Sequence, residues 1–324
     1  MVLLTAVIVF IGAAAATGCS KSGDDKKYEI GVIQIQQHAA LDAAYNGFVE
    51  ALAKEGYVDG ENIRIELQNA SGDESNCQTI AANFANAKKD LILAIATPSA
   101  LAAANHTTEI PILITAVTDP VSVGLVESIE SPNTNVSGTS DLNPVSDQIA
   151  LVKKILPEAT SVAILYNSNE ENSVIQANMA KEAAGTAGLE ATDATVSNSN
   201  EIQQVIQSLS GKVDAIYAPT DNMIANAMST VSMVANEIGV PVFCGEANMV
   251  ENGGLITYGI DYTELGRLTG QQAARIFKGE DISKMPIQYL PNNLLETTVN
   301  VSTAEILGIT IPEDILADAI KVGM

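Results

Sequence analysis

Short apolar runs alternate along the chain with longer segments in which apolar residues recur at helical spacing. In the first half the predicted strands lie at 28–35, 62–70, 90–96 and 110–116, and the predicted helices lie at 41–55, 76–88 and after Ser99. The run 62–70 alternates apolar and polar residues, which indicates a half-buried strand. Strands that alternate with helices of roughly 10 to 15 residues are typical of crossover units in a parallel sheet. This half of the chain therefore predicts an α/β lobe.

The second half repeats the order and spacing of the first, although identity between the halves is low. Its predicted strands lie at 160–167, 189–196, 213–219 and 240–246, and its predicted helices lie at 174–188 and 201–209. The segment 160–167 corresponds to the first strand, and 213–219 and 240–246 correspond to 90–96 and 110–116. The sequence therefore predicts an α/β fold of two Rossmann-like lobes, each a parallel sheet flanked by helices.

Composition and charge restrict the class of partner. The chain is 47% hydrophobic and 17% charged, which is typical of a packed globular protein rather than a disordered one. Its formal net charge of −23 repels phosphate backbones, so nucleic acid is a poor partner. The first strand leads into no Gly-rich phosphate loop, and no Gly-x-Ser-x-Gly elbow is present, so an enzyme is disfavoured.

Histidine and cysteine usage offers little chemistry. The two histidines, His38 and His106, have no Cys or His cluster beside them in the sequence, so no transition-metal site is predicted. Cys77 and Cys244 are interpreted as two independent thiols, with a disulfide between them as the less favoured alternative.

The opening segment has the features of an export signal. Its apolar run, 2–16, is shorter than the roughly 20 residues that a membrane-spanning helix needs, and it ends in small residues. The small residues before Cys19 and the polar stretch after it resemble a bacterial lipobox, in which the preceding segment is removed and the cysteine is lipidated. We predict a lipoprotein signal peptide at 1–18, lipidation of Cys19 and a flexible tether at 19–27. An ordinary signal peptide with an incidental cysteine is the alternative.

Polar residues follow the apolar strands where each predicted strand ends. Ligands of open parallel sheets bind outside the carboxyl ends of the strands, so we expect these corners to face a common cleft between the lobes. Ser99 and Ser173 lie where a helix begins, and free N–H groups there favour an anion such as a carboxylate. Asp221 and Glu246 are carboxylates at strand exits and suit an ammonium group. Each residue alone is more often a helix cap than a ligand, but the convergence of the corners favours an amino-acid clamp.

The candidate ligand-binding residues lie in these corners and in the crossing segment after the second lobe. They are His38, Asp42, Thr97, Ser99, Thr118, Asp119, Asn167, Asn172, Ser173, Thr220, Asp221, Asn222, Glu246 and Asp261. We expect Ser99, helped by Thr97 and Thr118, to take the ligand carboxylate. We prefer Glu246 to Asp221 for the ammonium group, because Glu246 lies just past the last strand of the repeated unit.

Six of these segments resemble those of a known family. They are QQHAALD (36–42), ATPSAL (96–101), TDP (118–120), NSNEENS (167–173), PTDN (219–222) and ENGGLITYGIDYTELG (251–266). The chain resembles the substrate-binding lipoproteins of ABC importers, in the branch associated with tryptophan and tyrosine uptake. The resemblance implies a two-lobed periplasmic-binding fold with a hinge of crossing strands, no catalytic residues and no cofactor. It also implies an amino-acid ligand, permease and ATPase subunits as partners, and an extracytoplasmic location with a lipid anchor as the only attachment to the membrane.

The resemblance implies an aromatic ligand, tryptophan or tyrosine, but the residues themselves leave the ligand open. The chain has no Trp, and the aromatic candidates near a corner are Tyr262 and His38, the latter as a stacking surface. An aliphatic or other small amino acid is one alternative. A two-lobed sensor or adhesin receptor not tied to transport is another.

The resemblance also places the hinge and the lobes. The crossing segments are expected at 135–142, 255–266 and near 287–297. The predicted lobe 1 is 28–138 plus 262–288, and the predicted lobe 2 is 139–261 plus 289–324. Gly138 and Gly259 are expected to absorb rotation without contacting ligand, whereas Asp261 either forms a salt bridge or contacts the ligand.

Overall fold

Residues 27–323 are described in the computed structural model of this chain. The predicted leader, Cys19 and all of the predicted tether except Lys27 lie outside this range. No helix within the range is long and apolar enough to cross a bilayer.

The first sheet is parallel throughout, with the strand order β2-β1-β3-β4-β5. Its strands are β1 (Tyr28–Gln34), β2 (Ile63–Asn69), β3 (Leu91–Ile95), β4 (Ile112–Val117) and β5 (Val136–Ser140). The helices between them are α1 (Ala39–Lys54), α2 (Glu74–Asn86) and α3 (Thr97–His106). We call the unit built on this sheet lobe 1.

The second sheet has, within the described range, the strand order β12-β11-β10-β9-β8-β6-β7. Its strands are β6 (Ser161–Asn167), β7 (Glu190–Val196), β8 (Ala215–Ala218), β9 (Val242–Cys244), β10 (Ile256–Gly259), β11 (Glu296–Asn300) and β12 (Ile320–Val322). The order β7-β6-β8-β9-β10 repeats that of the first sheet, and β11 pairs antiparallel to β10. We call this unit lobe 2.

The remaining helices, with one exception, belong to lobe 2 or connect its strands. They are α4 (Val145–Ile155), α5 (Glu171–Thr186), α6 (Ile202–Gln207), α7 (Asn222–Asn226), α8 (Met228–Glu237), α9 (Ala247–Glu251), α10 (Tyr262–Phe277), α11 (Val301–Leu307) and α12 (Glu313–Asp318). The exception is α10, which packs on α1 of lobe 1.

The structure confirms the predicted fold class of two α/β lobes with parallel sheets flanked by helices. The predicted strands and helices agree with the observed ones to within a few residues, and α4, α7 to α9, α11, α12, β11 and β12 were not predicted. One shift matters for the site: α3 begins at Thr97 rather than after Ser99. Pro98 suits the first turn of a helix, where its missing N–H costs nothing. The hydroxyls of Thr97 and Ser99, on either side of Pro98, therefore both lie in the first turn of α3.

The burial of each strand depends on whether it lies at the centre or the edge of its sheet. All residues of β3 and β4 are buried, because helices cover both faces of a central parallel strand. The edge strand β2 alternates buried or partly buried with exposed residues at most positions, as its alternating sequence predicts. The apolar cores therefore lie on both sides of each sheet, and polar residues are left for the strand exits.

Helix α10 returns the chain to lobe 1 through a very close approach to α1. A Cβ atom on Gly266 would lie 1.9 Å from the carbonyl oxygen of Ala44, so only glycine allows this contact. The exposed edge carries an ion pair between Arg267 and Glu50, with 2.9 Å between Nη2 and Oε2.

Three crossing segments connect the lobes and bond to one another. Gln288 donates its backbone N–H to the Gly138 carbonyl and accepts from the Ser140 N–H, both at 2.9 Å. Asn143 accepts from the Ile260 N–H at 3.2 Å. Gly138 has a φ of +141°, and a Cβ there would lie 2.1 Å from the oxygen of Ile114. We keep the lobe boundaries stated above as a proposal, with β5 reaching two residues beyond position 138.

Candidate ligand-binding site

The carboxyl ends of the two sheets face each other across a narrow cavity, in which the volume open to water is about 20 Å³. In each lobe the strand order reverses beside the first strand, between β1 and β3 and between β6 and β8, and doubly wound sheets bind ligands at such points. The water-accessible volume is far below the roughly 300–1,000 Å³ typical of small-molecule sites, so in this arrangement the strand-exit residues lie close against one another. The cavity is lined by His38, Leu41, Ala116, Thr118, Asp141, Asn172, Thr220, Asp221, Asn222, Ala225, Glu246 and Tyr262.

Direct contacts hold the two lobes together over this cavity. Gln36 of lobe 1 donates from Nε2 to the backbone carbonyl of Asn222 in lobe 2. His38 Nε2 lies 3.4 Å from Asn222 Oδ1, and Gln176 donates to Thr118 Oγ1 at 3.4 Å. The lobes are therefore in a closed arrangement, with strand-exit residues in contact across the cleft.

Glu246 is a buried carboxylate that the protein leaves unused. It is 2% exposed, and neither of its oxygens has a hydrogen-bond partner among residues 27–323. It occupies the N-cap position of α9 without capping that helix. Burial, with smaller contributions from the charges of Asp141 and Glu251, raises the pKa of Glu246 to about 8. A cation in the cavity would stabilise the charged form of this side chain.

Asp221 lines the same cavity but is occupied by the fold. Its Oδ1 accepts from the Ile224 N–H at 2.8 Å and thereby caps α7, and its Oδ2 accepts from the Asn167 N–H at 2.7 Å. Burial and the nearby charge of Glu170 raise the pKa of Asp221 to about 7. The hydrogen bonds of Asp221 are typical of a structural cap.

Glu170, which was not a predicted site residue, fixes the start of α7. Its Oε2 accepts from the Asn222 N–H at 3.2 Å and from Asn222 Nδ2 at 2.7 Å. Its Oε1 accepts from the Met223 N–H and from Asn167 Nδ2, both at 3.2 Å. Four donors converge on this one carboxylate and hold the Asn222 side chain in a single orientation.

Asp141 and Tyr262 complete the wall of the cavity at the crossing segments. The Tyr262 hydroxyl donates to Asp141 Oδ2 at 2.8 Å, and Thr118 Oγ1 donates to Asp141 Oδ1 at 3.2 Å. Burial raises the pKa of Asp141 despite these two bonds. Asp141 was missed because the segment 135–142 was interpreted only as a hinge. Asp141 directly follows β5, but the sequence of that strand, VSGTS, lacks the apolar run that precedes Glu246.

His38 lies at the lobe 1 side of the cavity as a neutral imidazole. Burial lowers its pKa to about 4, although Asn222 and the charge of Asp42 act in the opposite direction. Its Nδ1 is buried and has no partner in the part of the chain that the structure describes. One nitrogen of this wall residue is therefore left unused by the described chain.

The start of α3, where a carboxylate site was expected, lies beside the cavity rather than in its wall. The Ser99 hydroxyl is fully buried, 3.7 Å from the Cys77 thiol. Thr97 Oγ1 is buried and has no partner within residues 27–323. Ala96 before it has a φ of +75°, an unusual conformation for a residue with a Cβ that is often found at functional sites. Thr97 thus stays a candidate, whereas Ser99 points into packing with α2.

Seven of the predicted residues line the cavity, and the other seven do not. The lining ones are His38, Thr118, Asn172, Thr220, Asp221, Asn222 and Glu246. Besides Thr97 and Ser99, the others have structural partners. Asp42 accepts from Gln34, Asp119 from the N–H groups of its own turn, and Asn167 bonds Glu170. Ser173 accepts from Asn172, and Asp261 caps α10.

The two cysteines of the described range are free and lie apart. Cys77 belongs to the core of lobe 1 and Cys244 to a core of lobe 2. Burial raises the pKa of both thiols, that of Cys77 to about 11, so both act as small apolar side chains.

The comparisons with known proteins agree with this geometry. The sequence model of the family described as ABC transporter substrate binding protein matches residues 29–323. The chain is 42% identical to a tyrosine-binding protein of Clostridioides difficile (strain R20291), over 96% of this chain and 92% of that protein. It is 35% identical to an ABC domain in complex with L-Trp from Streptococcus pneumonia, with a TM-score of 0.88 over 92% of this chain and 100% of that one.

A third relative shows how the lobes are arranged. The chain is 45% identical to a substrate-binding protein with adhesive properties from Clostridium difficile, whose structure is ligand-free and open. The TM-score to that structure is only 0.70, over 91% of this chain and 99% of that one. Because the identity is higher than to the L-Trp complex but the structural match is poorer, the lobes here are placed differently from those of the open form.

The fold, the cavity and the family match all indicate the same class of protein. The two lobes have the type I periplasmic-binding-protein fold, and the family and its relatives are binding proteins, not enzymes. The family predicted from the corner segments is thereby confirmed. The chain belongs to the family of ABC transporter substrate-binding proteins.

Proposed function

We propose that this protein is the extracytoplasmic substrate-binding component of an ABC importer and that it captures an aromatic amino acid, tyrosine or tryptophan, between its lobes. The observation that carries the proposal is the closed cavity with the unpartnered, buried Glu246 carboxylate in its wall. A buried charge without a partner is costly, and the ammonium group of an amino acid would remove that cost. The names of two relatives, one tyrosine-binding and one in complex with L-Trp, support the choice of ligand.

The cavity offers separate groups for the three parts of an amino acid. Glu246 is the proposed partner of the ammonium group. The proposed partner of the carboxylate is the hydroxyl of Thr97, beside the cavity, whose Oγ1 is buried and has no partner in the described residues. The unpartnered atom of Asn172 is its amide oxygen, which can accept from the ammonium group but cannot donate to the carboxylate. Leu41 and Ala225 give the wall an apolar part, against which a side chain can lie.

A calorimetric titration of the exported chain against single amino acids tests the proposal. We expect L-tyrosine or L-tryptophan to bind at least about tenfold more tightly than L-leucine or L-glutamate, a difference of about 1.4 kcal/mol. D-tyrosine is the matched control, because it has the same groups in an arrangement that the cavity should reject. Equal binding of all these compounds, or none, would contradict the proposal.

We further propose that Cys19 carries a lipid anchor that holds the protein at the outer face of the membrane. The support is the lipobox-like sequence around Cys19. Lipoprotein maturation places several acyl chains on one cysteine, which makes the attachment stable. Cys19→Ala should move the protein from the membrane fraction to the soluble exported fraction, and unchanged retention in the membrane would refute the anchor.

A further inference from the structure

The orientation of the Asn222 side chain is set by its neighbours. Its Nδ2 lies 2.7 Å from Glu170 Oε2. The opposite orientation would place an amide oxygen against a carboxylate oxygen that already accepts a backbone N–H. Asn222 therefore directs its Oδ1 toward His38, whose Nε2 lies 3.4 Å away.

This orientation decides which nitrogen of His38 carries the proton. An amide oxygen accepts hydrogen bonds and does not donate, so Nε2 must be the N–H that faces it. The ring is neutral, since burial lowers its pKa to about 4, and a neutral imidazole has a single N–H. The other nitrogen, Nδ1, is then an acceptor.

Nδ1 is buried, belongs to a residue of the cavity wall and has no acceptor or donor partner within 27–323. We infer that His38 Nδ1 accepts a hydrogen bond from the ring donor of the ligand, the phenol O–H of tyrosine or the indole N–H of tryptophan, and so discriminates against phenylalanine. The inference rests on the proposed function. Glu246 is the stronger partner for the ammonium group because it is a carboxylate, which leaves Nδ1 to the side chain of the ligand.

The acceptor is assembled by closure. His38 lies in lobe 1, whereas Asn222 and the Glu170 carboxylate that orients it lie in lobe 2. The lobes must close before Asn222 can select the Nε2–H form. A ligand without a ring donor would leave Nδ1 buried and unsatisfied in the closed form, and sites built to bond a polar group reject analogues that lack it.

The test is calorimetric titration of wild type and His38→Leu with L-tyrosine, L-tryptophan and L-phenylalanine. Wild type should bind tyrosine or tryptophan at least about tenfold more tightly than phenylalanine. In His38→Leu, which keeps bulk but removes both nitrogens, the preference should fall to within about threefold while phenylalanine binds as well as before or better. His106→Gln, on the exposed side of α3, is the matched control and should keep the preference.

Each contrary result has a distinct meaning. If wild type binds phenylalanine as tightly as tyrosine and tryptophan, or if His38→Leu keeps the preference, the role of His38 is refuted while the aromatic ligand stands. If none of the three amino acids binds, the proposed function fails and this inference fails with it.

Nitrogen NMR of histidine-labelled wild type with its bound ligand tests the same point without relying on the variant. The chain has two histidines, so the spectrum is simple, and His106→Gln assigns it. The inference requires a neutral His38 with its proton on Nε2 and an accepting Nδ1. A proton on Nδ1, or a doubly protonated ring, would overturn it even if His38→Leu failed to fold.

Discussion

The corners after β8 and β9 place two acids, Asp221 and Glu246, in the wall of one cavity with opposite consequences. Both residues are buried and both have a raised pKa. The oxygens of Asp221 each accept a backbone N–H. Those of Glu246 accept nothing from the described chain.

The difference separates a carboxylate that stabilises the fold from one that is available to a ligand. Buried polar groups in native proteins are almost always hydrogen-bonded, so an exception calls for a partner that the chain itself does not supply. Asp221 has its partners in the chain itself, at the start of α7 and the end of β6. At Glu246 the proposed partner is the ammonium group of the ligand.

The largest expected effect is on ligand affinity in Glu246→Gln. Removing one partner of a buried ion pair costs roughly 3–5 kcal/mol, so affinity for tyrosine or tryptophan should fall by at least about a hundredfold. The ligand-free protein should unfold at the same temperature or higher, because Glu246 accepts no hydrogen bond from the described chain that the variant could remove. Titration calorimetry and thermal unfolding measure the two quantities. Affinity within threefold of wild type would show that Glu246 is not the ammonium ligand.

The next effect is on stability, in Asp221→Ala. Loss of the cap and of the acceptor for the buried Asn167 N–H should lower the free energy of unfolding by about 1–3 kcal/mol. Urea unfolding should be measured at pH 6, below the Asp221 pKa of about 7. At this pH Asp221 is mostly uncharged, so its removal relieves little charge repulsion with Glu170. Affinity should fall less than in Glu246→Gln. If Asp221→Ala instead keeps its stability and loses binding, Asp221 and not Glu246 is the ligand-binding acid.

The smallest effect is a shift between open and closed forms without ligand. Burial in the closed form raises the pKa of Glu246 from 4.5 to about 8, so between these values closure requires uptake of a proton. Lowering the pH from 8 to 5 should therefore favour the closed form and reduce the radius of gyration in small-angle scattering. Glu246→Gln should show a smaller change. Asp141 and Asp221 also have raised pKa values, and burial lowers the pKa of His38, so a residual pH response in the variant belongs to these three groups. An identical pH response in wild type and variant would contradict the assignment.

The fold was predictable because its signals are local and repeated. Runs such as 90–96 and 213–219 are apolar apart from Asp90 and Asp214, so the burial and strand character of their centres follow from the residues alone. The short helices α7 and α9 and the C-terminal strands were missed because each is too short to show a period.

The site was predictable as a set of corners but not atom by atom. The sequence predicted that Ser99, Asp221 and Glu246 lie at strand exits. It does not show that Ser99 packs against Cys77, or that Asp221 accepts hydrogen bonds from two backbone N–H groups. Asp141 was missed because its segment also serves as a crossing. These distinctions depend on contacts between residues that are far apart in the chain.

A crystal structure of the protein with bound L-tyrosine or L-tryptophan tests the central claim most directly. The account predicts that the lobes are closed as here and that the ligand ammonium nitrogen lies within hydrogen-bond distance of Glu246, about 2.7–2.9 Å from a carboxylate oxygen. Asp221 should keep its bonds to the Ile224 and Asn167 N–H groups. An ammonium group bound by Asp221, or a Glu246 carboxylate that the ligand does not touch, would contradict it.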